Sequence, residues 1–214
     1  MIKGIIFDSD ETLIRYSKTG TKCIQQAAKN LNLHVPDKDQ INSMYGRSFR
    51  FIVQKFWGDR YYHGVLKEYK TLMLKYKLKE IPGAKKTVLL LSKQYKLAVV
   101  SAKIMDIMIK NFKDINLDTR NFKIMLSSED TWFHKPDPRV FSKAIKSLKL
   151  NRKEILYVGD TLFDFKAGKR AGFTFVAVTT GYFKSNDFTR AGLKKQNILK
   201  SIKYLPSWVK KHGR

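Results

Sequence analysis

Five short apolar runs punctuate the chain: Ile5-Ile6-Phe7, Leu97-Ala98-Val99-Val100, Ile124-Met125-Leu126, Ile155-Leu156-Tyr157-Val158 and Phe175-Val176-Ala177-Val178. None alternates with polar residues, which is the pattern of strands buried on both faces of a parallel sheet. The runs give way, in order, to Asp8, Ser101, Ser127, Gly159-Asp160 and Thr179-Thr180. Parallel strands would align these polar groups along one edge of the sheet, the edge at which open α/β sheets bind ligands. Helical patterns separate the runs. One begins with Asp137 as cap and Pro138 at the first helical position, then places Phe141, Ala144, Ile145 and Leu148 on a stripe. Another carries Ala167-Gly168 and Ala171-Gly172, small residues four apart that let a helix approach its neighbours. Alternating strand and helix predicts a doubly wound α/β domain of three layers, because parallel strands need crossover helices.

Residues 15–79 break this alternation. Ile24, Ala27, Ala28 and Leu31 form one helical stripe, and Phe49, Ile52, Val53 and Phe56 form a second with Ser48 as its cap. Tyr62, Val65, Leu66, Tyr69, Leu72, Met73 and Tyr76 form a third. The expected organisation is a sheet core of residues 1–14 and 80–214 with a small α-helical cap, 15–79, inserted into it. The insert leaves just after the first polar edge group and returns at Ile81-Pro82-Gly83. It should therefore hang over that edge as a lid that excludes water and selects substrate.

The edge group after the first run is Asp8-Ser9-Asp10-Glu11-Thr12. Carboxylates two apart on an extended segment share one side of the chain, and ionising both without a cation is costly. A divalent metal with oxygen ligands removes that cost. The pair then suits a phosphorylated substrate, with one Asp attacking phosphorus and the other moving protons. Taken alone, the pattern serves equally well as an Asx-type turn closing a strand.

Four segments in order tip the balance: Phe7-Asp8-Ser9-Asp10-Glu11-Thr12-Leu13, Val100-Ser101, His134-Lys135-Pro136-Asp137-Pro138 and Gly159-Asp160-Thr161-Leu162-Phe163-Asp164. Through them the chain resembles, over nearly its whole length, the haloacid dehalogenase superfamily, in its phosphoglycolate phosphatase-like branch with a helical cap. The resemblance implies a Rossmann-like core and a Mg²⁺-dependent phosphatase of a small phosphomonoester: phosphoglycolate, a sugar phosphate or a nucleotide. It implies Asp8 as the nucleophile that becomes an aspartyl phosphate, and Asp10 as general acid and base. It implies Mg²⁺ held by Asp8, the backbone carbonyl of Asp10 and Asp160, with Asp164 orienting the ligands from behind. Ser101 and Lys135 would bind the phosphate, Lys135 also facing the Asp8 carboxylate, and Thr12 would steady the first loop beside the substrate. In the cap, Arg47 beside Gly46 is the candidate for gripping the substrate's non-reacting end.

Two positions depart from the family pattern. Ser9 stands where an apolar residue is usual, and Glu11 where Gly is usual, at a tight turn that a side chain strains. Glu11 also adds a third carboxylate beside the metal. An acid at position 10, which the dehalogenase members lack, points to phosphorus chemistry. A mutase on the same scaffold is the second implied reading, and Thr12, where family mutases often carry Val, leans against it.

Composition bounds the rest. A chain of 214 residues can bury one core and carry a modest insert. The single Cys23 excludes an internal disulfide, suits a reducing compartment and lies on a cap stripe, where packing is its role. No apolar stretch approaches membrane-spanning length and Met1 to Phe7 is too short for a signal peptide, so a cytoplasmic protein without a membrane partner is expected. The formal charge of +25 attracts phosphates, nucleic acid included. Yet the lysines are scattered, they outnumber the arginines suited to bidentate recognition, and no nucleic-acid-reading motif accompanies them. The longest basic cluster is the tail Lys210-Lys211-His212-Gly213-Arg214. The expected partner is a small phosphorylated metabolite, which this charge would steer inward. A nucleic-acid binder or nucleic-acid-end phosphatase is the third reading, and monomer and homodimer stay equally open.

Overall fold

The computed structural model describes residues 1–213, and Arg214 of the basic tail lies outside the described residues. The elements run β1 (Gly4–Phe7), β2 (Ile14–Arg15), α1 (Ser17–Asn30), α2 (Lys38–Ser43), α3 (Phe49–Trp57), α4 (Tyr62–Leu74), β3 (Lys79–Glu80), α5 (Ala84–Leu91) and β4 (Lys96–Val100). They continue as α6 (Met105–Asp114), β5 (Ile124–Leu126), α7 (Ser142–Leu148), β6 (Ile155–Gly159), α8 (Leu162–Ala171), β7 (Thr174–Val178), α9 (Ser185–Arg190), β8 (Ile198–Leu199) and α10 (Leu205–His212).

Six strands form one parallel sheet in the order β5-β4-β1-β6-β7-β8. From β1 the chain winds outward through β4 to β5, then returns to the other side of β1 and winds outward again through β6, β7 and β8. The order reverses between β1 and β6, and the residues that leave these two strands are Asp8 and Asp160. A crevice opens at such a reversal because the crossovers on its two sides diverge.

Alternate residues of each strand supply the two cores. Ile5, Phe7, Leu97, Val99, Leu156 and Val158 pack with Val88 of α5, Phe112 of α6 and Trp208 of α10. Ile6, Ala98, Val100, Tyr157 and Phe175 pack with Leu148 of α7, Phe165 of α8 and Phe188 of α9. Both faces are covered, which is why the strand runs carry no polar alternation.

The helical insertion lies between β2 and β3, which pair antiparallel with Ile14 opposite Glu80 and Arg15 opposite Lys79. Within it α1 packs along α4. Ile24, Ala27, Val65 and Met73 are buried in a cluster continuous with one face of the sheet. Ser48 caps α3 as expected, its Oγ accepting from the Phe51 amide at 3.3 Å. The ends of the helical stripes fall differently: Leu31 caps the C-terminus of α1, and Tyr76 lies beyond α4. The helix expected at Asp137-Pro138 begins as a 3₁₀ turn, Pro138–Phe141, and becomes α-helical only at Ser142. Among the described residues no helix is long and apolar enough to cross a membrane.

Candidate active site

The backbone sets the site. The Asp8 amide donates to the Val158 carbonyl at 2.8 Å and the Ser101 amide to that of Leu126 at 2.9 Å, so each residue extends its ladder by one step past the strand end. Asp8, Ser101 and Asp160 are thereby delivered to one cavity of about 50 Å³, which Asp10, Lys103 and Thr161 also line. The insertion roofs it with Tyr16, Tyr45, Arg47, Phe49, Ile52 and Tyr69.

Lys135, on the loop before α7, contacts Asp8 without itself lining the cavity. Its side chain is 1% exposed, and Nζ lies 2.6 Å from Asp8 Oδ1 and 2.7 Å from Asp164 Oδ1. Burial pulls this ammonium down, but Asp164 and Asp8 more than reverse the effect and hold it charged. Asp164 is fixed in turn. Thr161 caps α8 with Oγ1 accepting from the Asp164 amide at 3.1 Å, while Asp164 Oδ2 accepts from the Thr161 amide at 3.0 Å and hydroxyl at 2.6 Å. The Tyr157 hydroxyl donates to Oδ1. Both oxygens of Asp164 are therefore engaged, and its role in the geometry is to brace Lys135.

Asp8, Asp160 and Asp164 each bring one carboxylate oxygen within 4.8 Å of the others, all of them buried. Burial pushes the Asp8 carboxyl up to about 7 against the pull of Lys135. Burial, with Asp8 and Asp164 adding repulsion, lifts Asp160 well above the usual carboxylate range. Three buried carboxylates against one lysine leave a negative excess, and an oxygen-lined pocket of that charge fits a hard divalent cation. With Asp164 engaged, Asp8 and Asp160 are the side chains able to hold it. Asp160 is wedged in place by Gly181, where a Cβ would lie 1.9 Å from Asp160 Oδ2.

The other expected residues fall into two groups. Ser101 is buried on the cavity wall, its Oγ accepting from the Lys103 amide at 3.2 Å. Arg47 is there too, its guanidinium between the rings of Phe51 at 4.2 Å and Phe163 at 4.9 Å, and Nη1 donates to the Lys135 carbonyl at 3.3 Å. This contact joins the insertion to the floor, and burial lowers the guanidinium pKa. Thr12 does not line the cavity: it is fully buried, and its hydroxyl has no hydrogen-bond partner among the described residues.

Glu11 does adopt the backbone that favours Gly, with φ of 53°. Its carboxylate does not join the three aspartates that cluster for a metal. Instead Oε1 accepts from the amides of Tyr16 at 2.7 Å and Ser17 at 2.6 Å, the open N-terminus of α1. The Thr180 hydroxyl donates to the Glu11 carbonyl, tying this turn to the loop after β7.

Sequence reasoning missed Lys103. Its side chain is 3% exposed and Nζ lies 2.9 Å from Asp10 Oδ2. Burial raises the Asp10 carboxyl and lowers the Lys103 ammonium, each partly reversed by the other. The available signal was its position two residues after Ser101, at a strand end.

The chain is similar to known proteins. The haloacid dehalogenase-like hydrolase family profile matches residues 5–178. A phosphoglycolate phosphatase of Aquifex aeolicus is 30% identical over 202 residues, 88% of this chain and 92% of that one. A glyceraldehyde 3-phosphate phosphatase of Pyrococcus furiosus is 25% identical over 219 residues, 90% of this chain and 85% of that one. The crystal structure of a hydrolase from Pseudomonas syringae superposes with a TM-score of 0.85 at 21% identity, covering 98% of this chain and 99% of that one. A carboxylate-lined crevice at the β1/β6 reversal, roofed by an inserted helical unit, and a family match spanning most of the chain lead to one conclusion: this protein belongs to the haloacid dehalogenase-like hydrolases.

Proposed function

We propose that the protein is a Mg²⁺-dependent phosphatase of small phosphomonoesters, that it works through an aspartyl phosphate on Asp8, and that residues 15–79 are its cap. The observation that carries the reading is the Asp8–Lys135 pair: a buried carboxylate, lining the cavity with Asp10, Ser101 and Asp160, 2.6 Å from a buried ammonium.

Lys135 favours the ionised form of Asp8 against the effect of burial and aims it, so that its second oxygen is left for phosphorus. In the first step an Asp8 oxygen bonds to phosphorus as the ester P–O bond breaks, and Asp10 gives its proton to the departing alkoxide. In the second, Asp10 takes a proton from water as the water oxygen bonds to phosphorus. The Asp8–phosphorus bond then breaks, releasing inorganic phosphate and restoring the Asp8 carboxylate and the protonated Asp10 carboxyl. Ser101 donates to a phosphoryl oxygen, and Lys135 supplies fixed positive charge where little solvent screens it. When bound, Mg²⁺ supplies further neutralisation of the phosphoryl oxygens, held by Asp8, Asp160 and the Asp10 carbonyl.

The small cavity and the two relatives named for phosphoglycolate and glyceraldehyde 3-phosphate support a leaving group of two or three carbons. Arg47 and the tyrosines of the roof are the residues placed to choose among such groups. The test is a panel of phosphorylated metabolites with Mg²⁺ and with EDTA, run on wild type and Asp8→Asn. Mg²⁺-dependent release of phosphate that disappears in the folded variant supports the reading. Full turnover by Asp8→Asn removes it.

A further inference from the structure

We propose that Lys103 is a positioning residue for the proton donor: it anchors one oxygen of Asp10 so that the other is presented to the leaving group. The inference rests on the phosphatase reading above and assigns a part to a side chain that reading does not use. A lysine at 3% exposure needs a reason to be buried, because its ammonium loses most of its hydration. Here the compensation is specific. Nζ stands 2.9 Å from Asp10 Oδ2 and 3.3 Å from the centroid of the Tyr16 ring, a cation held between a carboxylate and a π face. Its alignment on Asp10 does not make a good hydrogen bond, so the attraction is chiefly that of the charge.

The backbone of Lys103 is pinned on both sides. Its amide donates to Ser101 Oγ at 3.2 Å and its carbonyl accepts from the Ser128 amide at 2.9 Å. Tyr16 is equally fixed, its amide on Glu11 at 2.7 Å and its hydroxyl against that of Tyr69 at 2.6 Å. The result at Asp10 is asymmetric: Oδ2 faces Lys103, whereas Oδ1 is buried with no hydrogen-bond partner among the described residues. A carboxyl that must first give and then take one proton is served by such an arrangement, since the free oxygen stays in one place through both steps. Tyr16 belongs to the inserted helical unit, so the grip on Asp10 is complete only with that unit seated over the floor.

The test uses leaving groups. Phosphoglycolate departs as a basic alkoxide and needs the proton; p-nitrophenyl phosphate departs as a stable phenolate and does not. With Mg²⁺ present, Lys103→Met should lower kcat/KM for phosphoglycolate about 100-fold, a part of the usual contribution of a general acid, and for p-nitrophenyl phosphate less than about 10-fold. The double variant Asp10→Asn/Lys103→Met removes the buried unpaired carboxylate and so protects the fold. It should be no slower on either substrate than Asp10→Asn alone, because Lys103 then has nothing to hold. Equal losses on both substrates, or a further loss in the Asp10→Asn background, would overturn the inference and leave the phosphatase reading standing. A wild-type protein that hydrolyses neither substrate overturns the phosphatase reading and this inference with it.

Discussion

Replacing Lys135 by Met removes the one ammonium that, among the described residues, contacts both Asp8 and Asp164, while keeping a chain of similar volume. At 2.6 and 2.7 Å each pair is worth roughly 6 kcal/mol of Coulomb attraction at an effective dielectric of about 20. Desolvation of the ammonium offsets much of this in the intact protein. The variant loses the attraction but still buries the carboxylates, so the expected net cost is about 3–5 kcal/mol. Urea unfolding followed by circular dichroism, in EDTA near neutral pH, measures it through the midpoint at constant slope. Two controls follow from the mechanism. Saturating Mg²⁺ should recover part of the loss in the variant, because the cation meets the same excess of negative charge. Lowering the pH toward about 5 should also shrink the deficit, because Asp8, already lifted to about 7 with Lys135 present, takes up a proton and relieves the repulsion. A cost below about 1 kcal/mol, indifferent to pH and Mg²⁺, would refute the claim that Lys135 balances the carboxylate cluster.

Three further outcomes are expected. Asp8 rises from 3.8 to about 7 in the metal-free fold, and an acid raised on folding makes stability fall as pH climbs between those values; Asp8→Asn should therefore be more stable than wild type in EDTA near pH 8, by at most about 4 kcal/mol, with the gain absent near pH 4 and the Mg²⁺-induced rise in Tm reduced. Glu11→Ala should be less stable than Glu11→Gly by about 1 kcal/mol in thermal unfolding, since both lose the two amide contacts to α1 but only Ala carries a Cβ at φ of 53°; equal stability would show the turn to be unstrained. Gly181→Ala should weaken Mg²⁺ binding 10- to 100-fold by calorimetry in a folded protein, on the order seen when groups supporting a ligand are lost, because the new Cβ would sit 1.9 Å from Asp160 Oδ2; unchanged affinity would remove Asp160 from the ligand set.

Much of this was legible in the amino-acid sequence because burial on both faces leaves a plain mark. The runs at β1, β4, β5, β6 and β7 have no polar alternation, and Asp8, Ser101 and Asp160 follow three of them directly. The strands β2, β3 and β8 have two residues each, too few to show any period. The 3₁₀ start at Pro138 eluded the helical template because a capping Asp and a Pro serve either helix. In the site, the Gly-like backbone of Glu11 was foreseen, but the destination of its carboxylate was not. That depends on where α1 begins in space, and residues 16 and 17 carry no local signal of it. Lys103 was missed for a different reason: among 43 lysines and arginines, a place two residues after Ser101 does not reveal burial, and only the fold brings this side chain to Asp10 and Tyr16.

The central claim is a covalent bond between Asp8 and phosphorus, and chemical trapping tests it most directly. Enzyme turning over substrate with Mg²⁺ is acid-quenched, reduced with borohydride and mapped by peptide mass spectrometry. An aspartyl phosphate is converted to homoserine, and the account predicts this conversion at position 8 alone, dependent on substrate and abolished in Asp8→Asn. Sustained hydrolysis with Asp8 unmodified at every quench time, or homoserine at Asp10 or Asp160 instead, would contradict it.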